Sequence, residues 1–143
     1  MKSSLAALLT VTKAQQALLR QLTRQYHLTI AEWQLLDYIG GGANTQESLA
    51  QQTRLDTSTL SRQLKGLVTK ELISKEAVGR DKRQLIYTIT EQGAATAAAM
   101  NTAFEELSDQ IFEHWSPDER NLLQILLNRL AKSMDRQRNL SSK

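Results

Sequence analysis

The chain has 143 residues, 41% of them hydrophobic and 23% charged, enough for one compact domain that buries roughly 70% of its unfolded surface without covalent staples. It contains no cysteine, which excludes a disulfide framework, thiolate metal ligation, a cysteine nucleophile and thiol-based oxidant sensing. The net charge is only +3, too small to argue for nucleic acid by itself; no run approaches the ~18 apolar residues of a membrane span and Met1–Thr12 lacks a signal-peptide core, so a cytoplasmic protein with no membrane partner is expected.

From Leu5 to Tyr26 helix formers dominate, and Leu8, Val11, Leu18 and Leu22 mark one side of a long first helix. Thr29-Ile30-Ala31-Glu32 fits a capping box, in which the threonine hydroxyl takes the N3 amide and the glutamate reaches back to the cap amide. A second helix therefore starts there, with Trp33, Leu36 and Ile39 inward, and Gly40-Gly41-Gly42 ends it because glycine tolerates the left-handed conformation past a helix. Asn44 and Thr45 open a short third helix, Thr45–Thr53, with Leu49 and Ala50 facing inward. After Arg54-Leu55-Asp56, a fourth helix is expected over Thr57–Leu72. Its Leu60, Leu64, Leu67 and Val68 recur at the spacing of a half-buried helix, opposite Ser58, Ser61, Arg62, Lys65 and Thr69.

Helical periodicity then gives way to β-branched and alternating residues over Ile73–Val78 and Leu85–Thr90, with the polar tip Gly79–Gln84 between them, so a hairpin is expected. Ala97, Met100, Phe104, Leu107 and Ile111 step by three and four along a fifth helix that wants a partner. Ser116-Pro117-Asp118-Glu119 places proline at the first and glutamate at the third position of a last helix, whose Leu122, Leu123, Ile125, Leu126, Leu127, Leu130 and Met134 form an apolar surface broader than one stripe. Long apolar terminal helices on a small domain point to subunit pairing. The expected fold is mainly α with a small β-hairpin wing: four helices, two strands and two helices in one domain, with a DNA-binding lobe over about 29–93 and dimerisation helices over about 3–27 and 91–138.

Charge is concentrated in the middle. From Arg54 to Arg83 there are eight Lys/Arg against four acids, net +4, and the remaining residues sum to −1, the pattern of a localised phosphate-binding face. A short helix, a tight turn, an amphipathic helix and a charged hairpin follow one another as a winged helix-turn-helix requires. Thr57, Ser58, Thr59 and Ser61 are short enough to let a backbone enter the major groove, and Arg62, Gln63 and Lys65 are long enough to reach base edges or phosphates.

Leu49-Ala50, Asp56-Thr57-Ser58-Thr59-Leu60-Ser61-Arg62, Lys70-Glu71-Leu72-Ile73, Gly79-Arg80-Asp81-Lys82-Arg83 and Thr88-Ile89-Thr90-Glu91-Gln92-Gly93 stand in the order seen in MarR-type regulators. The chain resembles that family from end to end, most specifically in the Asp-x-Arg tip followed by Thr-Glu-x-Gly. Arg54 stands where the family often has glycine, adding a cation near the DNA backbone, and Ile89 replaces the usual leucine. The resemblance implies a homodimer with interlocked terminal helices and one recognition helix per subunit in successive major grooves of double-stranded DNA. It implies Arg83 in the minor groove, oriented by Asp81, with Arg80 and Lys82 on phosphates, and a repressor relieved by a small aromatic or amphipathic effector. An architectural DNA binder without an effector is the other function these residues allow.

The remaining chemistry is sparse. His27 and His114 are the only histidines; His114 lies among acids of a solvent-facing helix, and no metal site is assigned. Trp33, Tyr38 and Tyr26 are read as core, so effector-binding residues stay unassigned. The glycine run lacks the lysine and preceding strand of a phosphate loop. No catalytic residues, no cofactor and no enzyme activity are expected.

Overall fold

Short oxygen-bearing side chains start the helices of this chain. In the computed structural model, which describes residues 1–80 and 84–141, Ser3 caps α1 (Ser4–Gln25), Thr29 caps α2 (Ile30–Gly40), Thr45 caps α3 (Gln46–Thr53) and Asp56 caps α4 (Thr57–Thr69). Strands β1 (Ile73–Val78) and β2 (Gln84–Ile89) follow, then α5 (Glu91–Ile111) and α6 (Pro117–Ser141). Both capping boxes form: Glu32 N–H donates to Thr29 Oγ1 at 3.0 Å and Thr29 N–H to Glu32 Oε1 at 2.9 Å, while Ser116 and Glu119 exchange the same pair at 2.9 and 3.2 Å.

The glycine run ends α2 as expected, the positive φ, 109°, falling on Gly42 just past the cap. Three other helices end on non-glycine residues at positive φ: His27 (57°), Arg54 (58°) and Glu71 (62°). Helix α4 accordingly stops at Thr69, not Leu72: Glu71 turns left-handed, its N–H donating to Val68 O at 2.9 Å and that of Leu72 to Leu67 O at 3.0 Å, a Schellman closure usually given to glycine.

Two compact units divide the chain, Met1–Phe104 and Glu105–Lys143. In the first, α2 packs against α1, α3, α4 and β2, and Leu35, Leu36, Leu49, Leu60, Leu64, Leu67, Ile73 and Met100 are fully enclosed, each large aliphatic side chain contributing roughly 1.5–3 kcal/mol. On α1 the buried residues are Leu19 and Thr23, whereas Val11 and Leu18 are exposed. Of the three aromatics read as core, Trp33 is buried, its indole N–H donating to Asn101 Oδ1 at 2.9 Å and its ring 5.1 Å from that of Phe104, Tyr26 is partly buried against the core, and Tyr38 is exposed, contrary to expectation.

The hairpin pairs Ile73 with Ile89 through Val78 with Gln84. It is also tied to the start of α3: Thr45 bridges Ile86, and Tyr87 N–H donates to Asn44 O at 2.8 Å. Glu32 joins α2 to the far end of α4. Buried at 6% exposure, it accepts from Lys70 Nζ at 2.7 Å as well as from the Thr29 amide.

In the second unit, Arg120 donates to Asp109 Oδ1 and Ser108 Oγ, both at 3.1 Å, and lies 5.0 Å from the Phe112 ring centroid. Phe112 meets Trp115 edge to face at 4.9 Å. No residue of α6 is buried. Among the described residues no helix is long and apolar enough to cross a membrane.

Candidate nucleic-acid interface

The geometry of α4 follows from its two faces. Leu60, Leu64 and Leu67 are at most 1% exposed and fix the helix on α2 and α3, which leaves Thr57, Ser58, Ser61, Arg62 and Lys65 exposed, with Thr59 half-buried. The outer row begins at the helix N-terminus, whose positive dipole end is met by the Asp56 carboxylate.

Two residues outside the expected contact set shape this row, Gln46, which the sequence did not single out, and Asp56, one of its two candidate caps for this helix. Gln46, the first residue of α3, donates through Nε2 to Ser61 Oγ at 2.7 Å, locking the two helices of the motif together across their polar side. Asp56 caps α4: Oδ1 accepts from Thr59 N–H at 2.7 Å and from Ser58 Oγ at 3.0 Å. The Thr59 amide is the largest cause holding the Asp56 carboxyl below its ordinary value, followed by the Thr59 and Ser58 hydroxyls, with Arg62 adding its charge.

Because the folded-state value is depressed, Asp56 stabilises the fold above the ordinary aspartate value of about 3.9, and the contribution is lost as pH falls below it through the folded value. An asparagine in its place would still cap but cannot titrate. The thermal midpoint of Asp56→Asn, followed by circular dichroism between pH 7 and pH 3, is therefore expected to fall less steeply on acidification than that of the parent; parallel curves would remove Asp56 from the pH response.

Other assigned residues stand differently. Gln63 does not share the outward exposure: it is half-buried and its Oε1 is enclosed without a hydrogen-bond partner. Lys70, counted toward the basic face, gives its ammonium to Glu32 and to His27 O at 2.8 Å. Arg54 is exposed at the C-cap of α3 in the left-handed conformation, the geometry that explains glycine at this position. Arg80 is exposed at the end of the hairpin. Asp81, Lys82 and Arg83 lie outside the described residues. His114 is exposed, 4.0 Å from Glu113.

A short helix, a left-handed turn, a two-faced second helix and a hairpin anchored beside the first define a winged helix-turn-helix. Residues 26–84 match the model of the MarR family. The Bacillus subtilis HTH-type transcriptional regulator YxaD is 37% identical over 93 residues, 65% of this chain and 64% of that regulator's length. Over this stretch the chain is similar to regulators of the MarR family. Solved structures extend the likeness of fold. Staphylococcus aureus MarR in complex with salicylate and kanamycin superposes with a TM-score of 0.83 at 18% identity, covering 92% of this chain and 90% of that one. A mutant of E. coli MarR complexed with operator DNA gives 0.73 at 24%, covering 88% and 92%.

Proposed function

We propose that this chain is a sequence-specific DNA-binding transcriptional regulator, a repressor that binds an inverted-repeat operator as a homodimer and is released by a small-molecule effector. The observation that carries it is the exposed row Thr57, Ser58, Ser61, Arg62 and Lys65 on a helix held rigidly from behind by three buried leucines. Operator DNA bound to E. coli MarR, and salicylate and kanamycin bound to S. aureus MarR, support it by similarity of fold. Two such helices, one per subunit, would read half-sites about one helical turn, ~34 Å, apart. In this reading Arg62 reads a base, Lys65, Arg54, Arg80 and Lys82 meet phosphates, and Arg83, held by Asp81, enters the minor groove.

Selection of binding sites from random duplex DNA by the full chain is expected to enrich an inverted repeat. Against that repeat Arg62→Ala should cost ~1–3 kcal/mol and relax the preference at one base pair, whereas Lys82→Ala should weaken all sequences alike and shallow the salt dependence. No enrichment over random DNA would leave an architectural binder and overturn the regulator.

A further inference from the structure

Ser61 lies midway along the exposed row of α4, and its hydroxyl is held from another helix: Gln46 Nε2 is 2.7 Å from Ser61 Oγ. An amide nitrogen can only donate, so Ser61 Oγ is the acceptor of this bond. The hydroxyl has a hydrogen of its own to give, and inside a helix it often goes to the carbonyl one turn back. The Thr53 hydroxyl does this, donating to Leu49 O at 2.7 Å. The Ser61 hydroxyl does not; among the described residues it makes only the bond that it accepts. Its hydrogen is left for a group outside the chain, and accepting from Gln46 polarises it toward donation. The arm that holds it is itself rooted. Gln46 is half-buried at the first position of α3, one residue past the Thr45 cap. Thr45 bridges Ile86, and Asn44 O accepts from Tyr87 N–H at 2.8 Å, which ties that end of α3 to the hairpin.

We propose that Gln46 is a positioning residue that sets the hydrogen-bond polarity of Ser61, making it a donor to an acceptor on a base edge in the major groove, a purine N7 or a keto oxygen. Serine by itself pairs with donors and acceptors alike. With Gln46 on one lone pair and the hydrogen unclaimed, donation wins. Cytosine is the base this arrangement rejects, because its major-groove edge offers an amino donor and two donors would then face each other. A phosphate oxygen could take the same hydrogen, but the place of Ser61 favours a base. In a helix-turn-helix the N-terminal part of the second helix meets base edges, while the first helix crosses the backbone, and Ser61 lies in that part of α4 beside Arg62. The assignment rests on the DNA-binding function proposed above and adds to it the kind of base that Ser61 selects.

The test takes the repeat enriched from random duplex DNA by the full chain and places each base in turn at every half-site position, with anisotropy reading the affinity of the parent, Ser61→Ala and Gln46→Glu. At one position the parent is expected to disfavour cytosine by roughly tenfold, and Ser61→Ala should level that difference. Gln46→Glu should invert it. A carboxylate only accepts, so it takes the Ser61 hydrogen and turns a lone pair toward the groove, where the cytosine amino group becomes the preferred partner. The added negative charge weakens all sequences alike and leaves the ratio between bases untouched, and glutamate in the first turn of α3 suits the helix dipole. A purely structural role for Gln46 would lower affinity without changing the rank order of bases. Ser61→Ala weakening all sequences alike would put the hydroxyl on a phosphate and overturn the assignment. So would a Gln46→Glu protein with the parent's rank order at every position, and in both cases the regulator stands. Absence of any enriched repeat with the parent overturns the regulator, and the assignment falls with it.

Discussion

Gly93→Ala is expected to lower the stability of this chain by about 3 kcal/mol, the upper part of the range for an overpacked position, and its thermal midpoint by roughly 10 °C. Helix propensity alone gives the opposite sign, since alanine inside a helix is favoured over glycine by ~1 kcal/mol. Position 93 lies in the first turn of α5, where a Cβ would come 1.9 Å from the carbonyl oxygen of Leu72, 2.9 Å from its carbon and 3.0 Å from Ile89 Cγ1. The obstacle is backbone and is itself pinned. Leu72 O accepts from Thr90 N–H at 3.0 Å, and the neighbouring Glu71 O accepts from Thr90 Oγ1 at 2.7 Å. Relief therefore requires moving the start of α5 away from the turn into β1 and giving up those bonds. Gly40→Ala is the control, because its Cβ would meet nothing nearer than Ile89 Cδ1 at 3.7 Å. Thermal unfolding of the two variants beside the parent decides the matter: a Gly93→Ala protein as stable as the parent would mean that the close approach does not exist.

The same joint explains which parts of the sequence were readable. Thr90-Glu91-Gln92-Gly93, the stretch most specific to the family resemblance, closes the hairpin onto the end of α4, with Thr90 Oγ1 also accepting from Gly93 N–H at 2.9 Å. The motif was visible as a pattern, but its work is in packing, which no local rule reveals. What local rules do reveal is what neighbours in sequence settle between themselves: the Thr29/Glu32 and Ser116/Glu119 boxes, and the Leu60, Leu64, Leu67 spacing of the inner face of α4. Ends were less legible. His27, Arg54 and Glu71 stop helices in a conformation whose usual signal is glycine, so nothing in the sequence ended α4 before Leu72. Least legible were pairs distant along the chain. Lys70 reads as one more cation until it is seen on Glu32, and Gln46 reads as a helix start until it is seen on Ser61. Gln63 illustrates a finer limit: on the flank of α4, between faces, a long amide can turn either way, and the structure turns its oxygen inward.

Leu127→Glu is expected to convert a dimer into a folded monomer and to lower affinity for an inverted-repeat site by roughly 10²–10⁴-fold, the gain that joining two half-site readers provides. The motive lies in α6. Not one of its residues is buried within the chain, and Leu122, Ile125, Leu126, Leu127 and Met134 are between 44% and 57% exposed. A contiguous apolar surface on a helix of 25 residues is far more than an isolated soluble domain usually leaves in water, and a second copy of the chain is the partner that symmetry supplies most simply. A carboxylate at position 127 has to be desolvated when that surface is covered, which costs more than the apolar contact it replaces. Leu130 is a harsher choice, since it is already half-buried inside its own chain and glutamate there would disturb the second unit as well as any interface. Sedimentation velocity at ~10 μM reads the mass, circular dichroism confirms that helix is retained, and anisotropy of labelled DNA reads affinity. A Leu127→Glu protein that still sediments as a dimer would place the interface elsewhere. A monomer that kept full affinity for the inverted repeat would show that one winged helix suffices, and the two-site mechanism would have to be given up.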